Sequence, residues 1–120
     1  MTLSRLISLL LHAALELAAG TALMVAPFVF DFGSAGMVTA VVVGAGLVGL
    51  ALTLGETGER GALPLNAHHA YDFGVVLGLA ICSIALGIAG DTNASAVFAV
   101  AALVQMLLTT NTRYSSPVRA

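Results

Sequence analysis

Apolar residues fill four long stretches, Leu3 to Phe30, Ala35 to Leu54, Ala70 to Ala89 and Ala94 to Leu108, separated by short polar breaks. Each approaches the roughly 20 apolar residues with which a helix crosses about 30 Å of hydrocarbon. The breaks carry turn chemistry: Pro27 with Asp31-Phe32-Gly33-Ser34, then Gly55-Glu56-Thr57-Gly58, then Gly90-Asp91-Thr92-Asn93. The first and third are tight enough to force antiparallel hairpins, whereas the middle connection, Gly55 to Asn66, is longer and more polar. The pattern predicts an all-α, integral membrane four-helix bundle in a single domain. One hairpin covers residues 3–55 and a second covers 65–112.

Composition agrees and removes whole classes of function. Hydrophobic residues make up 59% of the chain and charged residues 8%, against roughly 25% charged in a soluble domain. Little chain is left for a soluble catalytic domain, and four arginines without a lysine give no basic patch. Nucleic acid is therefore not an expected partner. The single cysteine, Cys82, falls within an apolar run and reads as a small hydrophobe. Arg5 followed by an apolar run and by Ala18, Ala19 and Gly20 invites a signal-peptide reading. His12 and Glu16 interrupt that run, which continues to Phe30, so a retained helix is expected. Arg5, Arg60, Arg113 and Arg119 belong to the termini and the middle connection, while the two short loops carry Asp31 and Asp91. Positive residues mark the cytoplasmic side, which places both termini inside a prokaryotic inner membrane.

Displaced by 56 residues, the chain aligns with itself: His12 with His68, Glu16 with Asp72, Leu23 with Leu79, Ala40 with Ala96, Leu47 with Leu103, Val48 with Val104 and Thr53 with Thr109. The two hairpins read as parallel repeats, because a two-helix unit returns the chain to its starting side. Small residues recur at helical spacing in Ala14, Ala18 and Ala22, in Gly36, Ala40 and Gly44, and in Gly74 and Gly78. In lipid such faces allow close helix packing, within the chain or against other subunits or copies. Gly44, Gly46 and Gly49 spell a G-x-G-x-x-G pattern, but without the strand-turn-helix context of a dinucleotide site, so packing is expected of them too.

The chemistry-bearing candidates are few. Ser4, Ser8, His12 and Glu16 recur every fourth residue and form one polar stripe on the first helix; His68 and Asp72 repeat the last two on the third. A carboxylate within a membrane helix is costly, so Glu16 and Asp72 should face the bundle interior, with the histidine one turn earlier as the nearest partner. Helices one and three are diagonal in an up-down bundle, which lets His12, Glu16, His68 and Asp72 converge. Three readings of this set stand: internal charge satisfaction, which is preferred; a divalent metal or haem; and proton or substrate movement through Glu16 and Asp72. Only one of the adjacent His68 and His69 can share the Asp72 face. Tyr71 and Tyr114 read as interfacial anchors, and Pro27 as a residue near a helix end.

The hairpin that begins His12-Ala13-Ala14-Leu15-Glu16, passes Gly20 and closes with Ala26-Pro27-Phe28-Val29-Phe30-Asp31-Phe32 resembles the SPW-repeat family of small prokaryotic membrane proteins. That resemblance implies one or two copies of a two-helix unit with a Ser-Pro-Trp-like signature near the end of its first helix. It also implies a histidine and an acid four residues on at each start, as in His12 with Glu16 and His68 with Asp72. The signature is degenerate here: Ala26-Pro27-Phe28 keeps the proline, Cys82-Ser83-Ile84 keeps none of it in register, and the chain has no tryptophan. The resemblance implies a fold without implying an activity. Secondarily, Glu16-Leu17-Ala18-Ala19-Gly20-Thr21-Ala22-Leu23-Met24 resembles the first helix of small multidrug-resistance transporters, which implies a proton-coupled role for Glu16. The expectation is a non-enzymatic scaffold or accessory subunit that meets lipid and other membrane subunits through its helix faces. A transporter using Glu16, or a haem- or metal-binding protein using the paired residues, is the alternative.

Overall fold

A computed structural model describes residues 8–53 and 65–112 of the chain. They form four helices, α1 (Leu9–Val29), α2 (Ser34–Leu52), α3 (Leu65–Ile88) and α4 (Thr92–Thr110). All four are long and apolar enough to cross a membrane. Ser4, the four arginines, Tyr114 and the residues from 54 to 64 lie outside the described residues.

The two hairpin turns share one design. At the end of α1, Phe32 N–H reaches back to the Pro27 carbonyl at 3.3 Å, with Asp31 in the left-handed region at φ 59°. At the end of α3, Asp91 N–H reaches the Leu86 carbonyl at 2.9 Å, with Gly90 at φ 93°. Both are Schellman-type closures, in which a residue with positive φ lets the chain turn back over its last carbonyls. Pro27 lies in the last turn of α1, where its missing N–H gives up one bond to the Leu23 carbonyl close to the helix end.

Asp91 then ties the turns together. Its Oδ1 accepts from Ala94 N–H at 3.2 Å and caps α4, while its Oδ2 accepts from Gly33 N–H, at the N-cap of α2, at 2.8 Å. One carboxylate thus serves the positive ends of two helices that start at the same end of the bundle. Asn93 adds a bond from its side-chain amide to the Phe30 carbonyl at 2.8 Å.

Within each hairpin the helices cross closely. A Cβ on Gly20 would stand 2.8 Å from the Gly44 carbonyl oxygen, and one on Gly44 would stand 2.6 Å from the Gly20 oxygen, so α1 and α2 meet backbone to backbone. In the second hairpin, Ser83 and Ser95 each donate to the other's backbone carbonyl, at 2.7 and 2.8 Å. α1 packs on α2 and α4, and α3 on the same two, so α1 and α3 face each other across the diagonal. Leu23, Leu79, Ala40, Leu47, Ala94 and Phe98 fill the space between.

The small-residue stripes divide between the inside and the outside of the bundle. Gly36, Ala40 and Gly44 do form the buried face of α2. Ala14, Ala18 and Ala22 are exposed, and Gly74 and Gly78 are exposed with nothing near their Cβ positions, so these two stripes face outward. The same holds for Gly46 and Gly49, which lie in mid-helix and have nothing within 4 Å of their Cβ positions among the described residues. The displacement of 56 residues also holds for only half of each hairpin. It pairs buried His12, Glu16 and Leu23 of α1 with buried His68, Asp72 and Leu79 of α3. It fails between α2 and α4, because Ala40 and Leu47 are buried while Ala96 and Leu103 are exposed. Burial there follows an offset of 58, the separation of the N-caps Gly33 and Asp91, and pairs Gly36 with Ala94, Ala40 with Phe98, Leu47 with Gln105 and Ala51 with Thr109.

Candidate functional site

Four ionisable side chains meet at the end of the bundle opposite the Asp91 clasp. His12 and Glu16 come from α1 and His68 and Asp72 from α3, each pair spaced one helical turn, and all four are at 0% exposure. One ligand atom from each can be chosen so that all lie within 4.8 Å of one another. The sequence spacing anticipates this convergence; the pairing inside it differs from the expectation. Nε2 of His12 stands 3.0 Å from Oδ2 of Asp72 in the opposite hairpin and 3.6 Å from Oε2 of Glu16 on its own helix. Nε2 of His68 stands 3.4 Å from Oε1 of Glu16 and 3.3 Å from Oδ2 of Asp72. The group is therefore one quartet shared by both hairpins, not two pairs each satisfied on its own helix. The imidazoles meet edge to face, with centroids 5.9 Å apart.

The outer nitrogens of both histidines are held by threonines, and this fixes where their protons lie. Nδ1 of His12 is 2.7 Å from Oγ1 of Thr112, whose own proton goes to the Leu108 carbonyl at 2.6 Å. A hydroxyl has one proton to give, so Nδ1–H of His12 is the donor. The other side repeats the arrangement: Oγ1 of Thr53 donates to the Leu50 carbonyl at 2.5 Å and accepts from Nδ1–H of His68 at 3.1 Å. Each threonine belongs to the hairpin that does not supply its histidine. With Nδ1 protonated in both rings, both Nε2 atoms point into the quartet.

Gln105 of α4 closes the site. Its side-chain amide donates to Oε2 of Glu16 at 3.0 Å and lies 3.5 Å from Oγ1 of Thr109. Oε1 of Glu16 and Nε2 of His68 are buried without an aligned hydrogen bond among the described residues. Burial also constrains the net charge. Two ionised carboxylates beside two neutral imidazoles would leave two negative charges in an apolar core, which is prohibitive. Two added protons, or one divalent cation, restore neutrality.

Gln105, Thr112 and Thr53 escape the sequence reading as site residues. Gln105 carries a usable signal, since it is the chain's only glutamine and interrupts the apolar run of α4. Ser8 proves to be the N-cap of α1, accepting from Leu11 N–H at 3.2 Å, and not part of the cluster. His68 takes the Asp72 face, while His69 is half-buried and lies against Phe73, with ring centroids 5.0 Å apart. Tyr71 is exposed, and Cys82 is a free thiol packed against the core.

Beside the quartet, an apolar groove of about 280 Å³, open to the outside, runs between α1 and α4, and Gln105 lines it together with Ala19, Leu23 and Val104. Compared with protein-family models, with curated proteins and with solved structures, the chain matches none.

Proposed function

We propose that this is a small integral membrane protein of the prokaryotic inner membrane, both termini cytoplasmic, that acts as a non-enzymatic scaffold or accessory subunit of a membrane complex. Its two hairpins are diverged copies of one unit, in keeping with the SPW-repeat resemblance. The supporting observation is the way polarity is distributed. The ionisable groups of α1 and the quartet residues of α3 are fully enclosed, whereas Leu10, Phe28, Val38, Val42, Leu77, Ile81 and Ile88 face outward. A surface of that kind is stable against lipid chains, and a cluster so enclosed offers no entry to a water-borne substrate. Partners then meet the protein through helix faces, for which the outward stripes Ala14, Ala18 and Ala22 on α1 and Gly74 and Gly78 on α3 allow close approach.

Reporter fusions to the C-terminus and to the α1–α2 turn, with mild-detergent purification, test this reading. A cytoplasmic C-terminus, a turn on the far side and a defined set of copurifying subunits are expected. A protein recovered from the soluble fraction would overturn it.

The open apolar groove beside Gln105 favours one second reading. It places a space for a small apolar molecule one hydrogen bond away from Glu16, as proton-coupled transport through Glu16 would require. Glu16→Gln should then abolish coupled uptake or efflux in vesicles, and unchanged transport would sink it.

A further inference from the structure

We infer that His12, Glu16, His68 and Asp72 form a tetrahedral binding site for one divalent transition-metal ion of the zinc type. The inference goes beyond the scaffold reading and does not depend on it.

The spacing of the donors carries the argument. Zinc bonds imidazole nitrogen and carboxylate oxygen at about 2.0–2.1 Å, so the edges of its coordination tetrahedron measure about 3.3–3.4 Å. Oδ2 of Asp72 stands 3.0 and 3.3 Å from the two Nε2 atoms, close to that edge, while the Glu16 carboxylate reaches His12 through Oε2 at 3.6 Å and His68 through Oε1 at 3.4 Å. One donor from each residue gives four atoms within 4.8 Å of one another, which side-chain rotation, chiefly of the Glu16 carboxylate, would draw in to the tetrahedral edge.

Three further features agree. Thr112 and Thr53 hold the Nδ1 protons, the outer arrangement that fixes a metal-binding histidine as an Nε2 ligand. Nε2 of His68 and Oε1 of Glu16, both enclosed, have no aligned hydrogen bond among the described residues, and an ion at the centre would satisfy them. One dication also balances the two carboxylates while leaving the imidazoles neutral, as ligation demands. The donor set of two nitrogens and two oxygens suits zinc and its divalent neighbours better than a soft copper(I) ion. The carboxylates occupy the space between the rings, leaving no slot for a macrocycle. Four protein ligands fill a tetrahedron, so the ion would be structural, joining α1 to α3 and thereby one hairpin to the other.

The test uses the full chain in mild detergent, stripped with a chelator and titrated with Zn2+ alone. One equivalent should survive desalting, and Co2+ in its place should give the intense visible bands of a tetrahedral centre. Glu16→Gln and His68→Ala should each remove those bands while helical circular dichroism is retained. Less than a tenth of an equivalent bound, the weak spectrum of six-coordinate cobalt, or bands that persist in either folded variant would each overturn the inference. Should both variants fail to fold, the cobalt spectrum of the unaltered protein decides by itself. Because it needs no partner subunit, a negative result here leaves the scaffold reading standing, and the loss of that reading leaves the metal site.

Discussion

The Glu16 carboxylate lies 3.4 Å from Nε2 of His68 in the opposite hairpin, nearer than the 3.6 Å that separates it from His12 one turn away on the same helix. The residues that would be expected to neutralise each other locally are also used across the bundle. Removing one member leaves the others buried and unbalanced, so Glu16→Leu should destabilise the fold by about 3–5 kcal/mol. A cycle of Glu16→Gln, His68→Ala and the double variant should show a coupling of about 1 kcal/mol or more in a detergent unfolding titration. Strict additivity of the two single losses would mean that the residues do not share a site. Replacing all four with leucine should cost far less than the single change, since it removes every buried charge at once.

Much of this was legible in the sequence, for physical reasons. A charge within an apolar run has few places to go, so Glu16 and Asp72 point inward wherever the helices sit, and spacing brings a histidine with each. The hairpins follow from turn residues at fixed places. The outer parts of the site were hidden because threonine in a helix has an alternative, bonding its own preceding carbonyls; Thr53 and Thr112 do that and accept from histidine as well. The register of α4 was hidden by composition. Matches such as Ala40 with Ala96 arise readily in a chain rich in alanine, and only burial reveals that Phe98 takes the place of Ala40. Spacing alone also cannot say which side of a helix is covered, which is why Gly74 and Gly78 turned out to face outward.

The double duty of Asp91 predicts a graded response. Asp91→Ala removes the cap of α4 and the acceptor for Gly33 N–H together, and should cost about 2 kcal/mol, a typical cap being worth about 1. Asp91→Asn keeps one acceptor and turns the other into a donor, so about half the loss is expected. An Asp91→Asn protein as stable as the unaltered one would show that one of the two contacts contributes nothing.

The glycines of α2 should respond oppositely to the same substitution. Gly44→Ala places a methyl 2.6 Å from both the Gly20 carbonyl oxygen and Met24 Cγ, so α1 must move away, at a cost of about 1–3 kcal/mol. Gly46→Ala meets nothing within 4 Å and should leave the fold unchanged or stabilise it by up to about 1 kcal/mol through helix propensity. Unfolding curves of the two variants measured side by side check this, and a destabilised Gly46→Ala would mean that another helix covers that face.

The threonines give the sharpest separation of metal binding from mere packing. Thr112→Val and Thr53→Val are nearly isosteric and leave all four ligands of the quartet in place. Each removes the acceptor that keeps an Nδ1 proton on the outer side of its ring. A histidine released from that bond can turn, or can move its proton to Nε2 and present a donor to the ion. Zn2+ affinity should fall roughly 10- to 100-fold per threonine, the usual effect of losing such an outer partner, while helical content stays constant. Thr112→Ser keeps the hydroxyl and should restore affinity. If valine and serine at position 112 bind Zn2+ alike, the hydroxyl plays no part in orienting His12, and the tautomer argument for the site fails with it.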